Sequence, residues 1–161
     1  MSYVIRGLDP APFVHLYGLT SDELATQGAV RMVVDAKPGY PCRVTLEDVE
    51  PGAAVLLVNH EHLPVDTPYR SRHAIFVAEG AQARARYEAA VPAQLRSRLL
   101  SLRAFDADDM MIDAEVLDGV GLEAEIARMF ADPRAAYLHV HNARRGCFAA
   151  RVDRKKGTAP A

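Results

Sequence analysis

The stretch from Tyr137 to Asp153 constrains the fold more than any other part of the chain. From Tyr137 to His141, aromatic or imidazole side chains alternate with aliphatic ones, and alternation resumes after Gly146. A repeat of two residues is the period of a β-strand. Asn142 and Gly146 flank the connection, and both residue types favour turns. We therefore predict a β-hairpin, which commits this part of the chain to an antiparallel sheet.

The register of this hairpin decides which side chains lie together. A five-residue connection pairs His141 with Cys147, and a three-residue connection pairs Ala143 with Cys147. In both registers His139, His141 and Cys147 share one face, because side chains alternate with a period of two. An even connection or an extra β-bulge separates the cysteine from the histidines. We expect the three side chains to lie together.

Imidazole and thiolate groups on one sheet face indicate a transition-metal site, since both suit zinc, copper and iron. A second His-x-His pair, with Glu61 between its members, follows a strand predicted for residues 53–59 and offers further ligands. The sequence predicts a divalent transition metal such as zinc, with these candidate ligands: His139, His141, Cys147, His60 and His62. The alternative is a set of partly buried polar residues bonded to the backbone, with an inert cysteine.

Cys147 supports a second interpretation, in which it is a catalytic nucleophile. A neighbouring histidine can expose a reactive thiolate, and His141 would then act as the base. Arg144, Arg145 or the turn amides would stabilise an anion. If Cys42 lies near Cys147 the two would instead form a redox pair, which requires Cα atoms within about 7 Å.

Arginines in loops and at strand ends suggest a third class of function. Arginine binds carboxylate and phosphate groups in a bidentate manner. One of them, Arg43, follows a loop that two prolines stiffen. Convergence of these side chains would make a non-enzymatic module for an anionic ligand or a protein partner, with these candidate binding residues: Arg43, Arg70, Arg72, Arg144, Arg145 and Asn142. The alternative is that they are separate, solvated side chains.

The whole chain predicts an α+β fold in a single domain over residues 1–153, followed by a flexible C-terminal tail over 154–161. We expect a mostly antiparallel sheet of about six to seven strands with a few short helices packed on it. The strongest helical pattern covers residues 121–131, where apolar residues recur at helical spacing. Part of the segment 80–91 is also predicted to be helical.

Composition excludes several classes of partner. A formal net charge of −2 argues against nucleic-acid binding, and no apolar run reaches the roughly 18 residues of a membrane span. Two cysteines and a start without a signal peptide predict a cytoplasmic protein. Nucleotide-binding and hydrolase motifs are absent. The expected partner is a small molecule of unknown identity, and the oligomeric state stays open.

Four blocks of sequence resemble a known bacterial family, the domain of unknown function 1203. They are the segments 35–43 (DAKPGYPCR), 69–76 (YRSRHAIF), 99–106 (LLSLRAFD) and 139–147 (HVHNARRGC). The resemblance extends over nearly the whole chain, from Ile5 to Arg154. It implies a single-domain bacterial protein and carries over no activity and no catalytic residue.

Overall fold

The computed structural model describes residues 2–155, and within that range the chain forms nine strands and three α-helices. The strands are β1 (Tyr3–Arg6), β2 (Val30–Val33), β3 (Ala54–Leu63), β4 (Ser71–Ala78), β5 (Arg86–Glu88), β6 (Leu99–Phe105), β7 (Met111–Asp118), β8 (Tyr137–Asn142) and β9 (Phe148–Arg154). The helices are α1 (Ser21–Thr26), α2 (Ala93–Arg96) and α3 (Leu122–Met129). Short 3₁₀ turns cover Val14–Leu16 and Gly119–Gly121.

All strand pairs are antiparallel and belong to two sheets. The large sheet has six strands in the order β5-β1-β9-β8-β6-β7, and the small sheet has three in the order β2-β3-β4. The predicted α+β class with a mostly antiparallel sheet is therefore confirmed. None of the helices in the described part of the chain combines the length and the apolar character needed to cross a membrane.

Helix α3 covers one face of the large sheet. Its buried stripe, Leu122, Ile126 and Met129, follows the spacing that predicts a helix here. On the sheet side the same core contains Leu100, Leu102, Leu138, Val140 and Val152. The opposite face of β8 is thereby left for other side chains, since neighbouring residues of a strand point to opposite faces.

The small sheet has a core of its own and meets the large sheet at the end of β3. Leu56 and Val77 of the small sheet pack with Leu24 of α1 and with Cys42. Leu63, the last residue of β3, packs against Phe105 and Tyr137 of the large sheet. The end of β3 therefore lies over the face of β8 that α3 does not cover.

Two predicted segments differ from the structure. The segment 80–91 is not helical and contains β5, because Tyr87 pairs with Ile5 at the edge of the large sheet. The predicted tail over 154–161 starts inside an ordered strand: Arg154 is the last residue of β9, and Lys155 N donates to Ser2 O at 2.9 Å. Residues 156–161 lie outside the described part of the chain.

Candidate functional site

The predicted hairpin is formed by β8 and β9, but its register differs from both expected ones. Asn142 N donates to the carbonyl of Cys147 at 2.9 Å, so the connection has four residues, 143–146. His141 then pairs with Phe148, and a bulge shifts the register between His141 and Val140. Phe148 therefore shares the histidine face in place of Cys147. The prediction that Cys147 lies beside His139 and His141 is wrong, because the connection is even.

A third histidine completes a cluster on that face. His62, at the end of β3, lies over β8, and its ligand nitrogen falls within 4.8 Å of those of His139 and His141. A register shift between Glu61 and Leu63 lies at this position, and bulges of this kind re-aim a side chain. We call His62, His139 and His141 the histidine cluster.

Aromatic rings enclose the histidine cluster. The ring of Phe148 stacks on His62 at 4.8 Å between centroids and meets His139 edge-on at 5.0 Å. Phe105 lies 5.2 Å from the ring of His139. His139 and His141 are buried and His62 is half-buried, so the site opens to solvent at His62.

Burial keeps the three imidazoles neutral at pH 7. Desolvation lowers the pKa of His62 to about 4, with contributions from the neighbouring His60 and His73. It lowers the pKa of His139 to about 2 and that of His141 to about 3. A neutral imidazole has a free lone pair, which is the form that binds a metal ion.

Hydrogen bonding leaves nitrogen atoms of the histidine cluster without a partner. His141 Nδ1 lies 2.9 Å from the carbonyl of Gly146, which holds the proton on Nδ1 and frees Nε2 as an acceptor. Within residues 2–155, Nδ1 of His62 and Nδ1 of His139 are buried and have no hydrogen-bond partner. Buried polar atoms normally have one, and each exception requires an explanation.

Arg103 lies beside the histidine cluster and was not singled out from the sequence. It pairs with His139 across β6 and β8 and is half-buried, and burial lowers the pKa of its guanidinium. Its one described hydrogen bond goes to Ser101 Oγ at 3.3 Å. The sequence did contain a signal for Arg103: it alternates with Ser101 in the otherwise apolar strand β6.

His60 and the predicted Cys147–His141 pair are placed elsewhere. The ring of His60 packs on Phe13 at 5.2 Å between centroids, outside the histidine cluster. The sulfur of Cys147 accepts hydrogen bonds from Arg43 and Asn142, while Nδ1 of His141 is bonded to Gly146. The thiol and the imidazole are thus on different faces of the sheet, and His141 is not the base of Cys147.

Cys147 instead lines a cavity of about 760 Å³ between the small sheet and the β8–β9 turn. The cavity brings together five of the predicted site residues: Arg43, Asn142, Arg144, Arg145 and Cys147. We call it the arginine cavity. The other two predicted arginines do not line the cavity. Arg70 forms an ion pair with Glu61, and Arg72 donates to Asn59.

Arg43 is fully buried at the base of the arginine cavity. Its guanidinium donates to the carbonyls of Phe148 at 2.8 Å and Pro41 at 2.6 Å, and to Cys147 Sγ at 3.0 Å. Burial lowers its pKa, and the adjacent Cys147 partly offsets this. Cys42, the residue before it, is a free thiol whose sulfur accepts from Ala78 N at 3.2 Å.

Comparison with known proteins gives a family and no activity. The model of the family described as "Protein of unknown function (DUF1203)" matches residues 39–154. No curated protein and no solved structure matches the chain. The matched range contains both the histidine cluster and the residues that hold Arg43. The chain is a member of the DUF1203 family, whose function is unknown.

Proposed function

We propose that the histidine cluster binds one divalent transition metal ion, with zinc as the first candidate. The observation that carries the proposal is the convergence of three neutral imidazoles, of which His62 and His139 each have a buried Nδ1 without a hydrogen-bond partner among the described residues. An unsatisfied buried polar atom costs about 1–3 kcal/mol. A metal ion bound by His62, His139 and His141 would give a partner to the buried nitrogens of His62 and His139 and would also use the free lone pair of His141 Nε2.

The spacing of the three nitrogens is compatible with three ligands of a tetrahedral site after a small adjustment. Metal–nitrogen bonds of about 2.0–2.1 Å place two ligand nitrogens roughly 3.3 Å apart. The three nitrogens lie within 4.8 Å of one another, so modest rotation of the rings closes the difference. The bond from His141 to the Gly146 carbonyl already fixes one tautomer, which is the usual outer-shell support of a histidine ligand.

Three histidines leave the fourth coordination position for a water or a substrate, as in catalytic rather than structural zinc sites. The cluster contains no carboxylate, and Arg103 adds a positive charge beside it. An anionic oxygen ligand at the fourth position would therefore bind both the metal and Arg103.

The two cysteines are free thiols, which fits a reducing compartment, and we propose a cytoplasmic protein.

The experiment is a titration of chelator-treated, untagged protein with cobalt(II), followed by its visible absorption. We expect one equivalent to bind with the intense bands of four-coordinate cobalt and to be displaced by zinc. His62→Gln should weaken binding by more than about 100-fold, since losing an outer-shell partner alone costs 10–100-fold.

His60→Gln is the matched control, because His60 is on the same strand two positions away and lies outside the histidine cluster. It should bind cobalt as the wild type does. Protein that binds neither metal at micromolar concentration, or a His62→Gln variant with unchanged affinity, would contradict the proposal.

A further inference from the structure

We propose that the arginine cavity is a second binding site, separate from the histidine cluster, for a small organic anion with an apolar body. The ligand class is a carboxylate or a phosphate monoester attached to an aliphatic or aromatic group. The site depends on no metal ion, so it stands or fails independently of the proposed metal site.

The shape and the floor of the cavity favour an organic molecule over an inorganic ion. Its volume of about 760 Å³ is within the roughly 300–1,000 Å³ of small-molecule sites. Met32, Leu57 and Phe76 of the small sheet contribute apolar surface to the lining. Inorganic phosphate would fill only a small part of this space and would leave that surface in contact with water.

The charge of the lining favours an anion. Four arginines line the cavity, and no acidic residue is among its described lining residues. Arg98 is neutralised by Asp48, with contacts of 3.0 and 2.5 Å. Arg144 and Arg145, at the rim, are exposed and have no described hydrogen bond or ion pair. Their guanidinium groups are thus free to bind a ligand.

Arg43 adds a buried cation that no carboxylate balances. It is 1% exposed, and its described partners are two carbonyl groups and the sulfur of Cys147. Burying a charge without an opposite charge is unfavourable, so an anion that enters the cavity is bound more strongly than it would be at the surface. Arg43 at the base and Arg144 and Arg145 at the rim would hold the charged group, while the small sheet contacts the apolar body.

Anilinonaphthalene sulfonate is a suitable probe, because it joins a fluorescent apolar body to one anionic group. Phenylnaphthylamine is the same body without the charge. We expect the sulfonate to bind the wild type at one equivalent and to bind R144A/R145A roughly tenfold more weakly, as charge-assisted hydrogen bonds are lost. The uncharged compound should bind both proteins alike.

The matched control is R128A/R134A, which removes the same charge from two exposed, ion-paired arginines that do not line the cavity. It should change the affinity for the sulfonate by less than about twofold. Equal binding by R144A/R145A and the wild type would overturn the proposal. So would equal weakening in the two double variants, which would indicate long-range attraction instead of a site.

Cys147 reports where the probe binds. It lines the cavity and is 7% exposed, whereas Cys42 is 0% exposed. Saturating sulfonate should slow the alkylation of Cys147 by iodoacetamide, measured by peptide mass spectrometry. An unchanged rate would overturn the assignment to this cavity.

Displacement of the sulfonate by naphthoate or by naphthyl phosphate then distinguishes a carboxylate from a phosphate ligand. Failure of both compounds to displace it would contradict the proposed ligand class.

Discussion

The histidine cluster and the arginine cavity both adjoin the β8–β9 hairpin, but their buried nitrogen groups differ in charge. In the histidine cluster on one face, burial lowers the pKa of three imidazoles, to about 4 for His62, about 2 for His139 and about 3 for His141. In the arginine cavity Arg43 is as buried as His139 and His141 but remains a cation, because arginine does not lose its proton in proteins.

The difference follows from the partners that each region supplies. Arg43 has two carbonyl groups and a sulfur as acceptors, whereas the one hydrogen bond described for the histidine cluster goes to the carbonyl of Gly146, and aromatic rings and the cation Arg103 lie around it. The first environment stabilises a charge and the second excludes one. Side chains from other elements, His62 of β3 and Arg43, thus meet the same hairpin in two environments, one that favours neutral imidazoles and one that accommodates a cation.

The largest expected effect is a loss of stability in acid on the histidine side. A histidine in the unfolded chain binds a proton near pH 6.5, whereas buried His139 and His141 stay neutral far below that pH. The unfolded state thus takes up protons as the pH falls from 7 to 5, which removes about 2 kcal/mol for each of the two histidines. Urea unfolding of chelator-treated protein at pH 7 and pH 5 measures this.

His139→Phe keeps an aromatic ring in the cluster but cannot be protonated, so it should lose about 2 kcal/mol less over the same pH range. His15→Gln is the control, because His15 is exposed in the folded chain. A His139→Phe profile that superimposes on the wild type would show that His139 is not kept neutral by the fold.

The second effect compares two arginines, Arg43 in the arginine cavity and Arg103 beside the histidine cluster. Arg43→Met should lower the free energy of unfolding by about 3 kcal/mol, because it leaves the carbonyls of Pro41 and Phe148 buried without a donor. Arg103→Met should cost less than about 1 kcal/mol, since Arg103 is half-buried and makes one long hydrogen bond. Urea unfolding at pH 7 gives both values. Equal losses of unfolding free energy in the two variants would contradict the difference proposed between the two regions.

The smallest effect tests whether the two regions are independent. Phe148 connects them, because its ring stacks on His62 while its carbonyl accepts from Arg43. Phe148→Leu should destabilise the protein by about 1 kcal/mol through the lost stacking and should weaken cobalt binding. Because the carbonyl remains, the affinity for anilinonaphthalene sulfonate should not change. A parallel loss of both ligands would mean that the two sites are coupled.

Local patterns were sufficient to predict most of the elements. The predicted hairpin forms as β8 and β9, and α3 is within the predicted helix because its apolar stripe recurs at helical spacing. Segment 80–91 was misassigned because its short strand is defined by pairing with β1, which no local pattern contains. The family, and the presence of two His-x-His pairs, were likewise visible in the sequence.

The composition of each candidate site was decided by tertiary structure. Alternation alone shows that His139 and His141 share a face, but the four-residue turn pairs His141 with Phe148 and places Cys147 on the other face. The passage of β3 over β8 selected His62 and left out His60. A strand pattern repeats every two residues, so a shift of one residue exchanges whole faces. The sequence alone determined which ligand types the chain carries, and the register and the packing of the two sheets determined which of them meet.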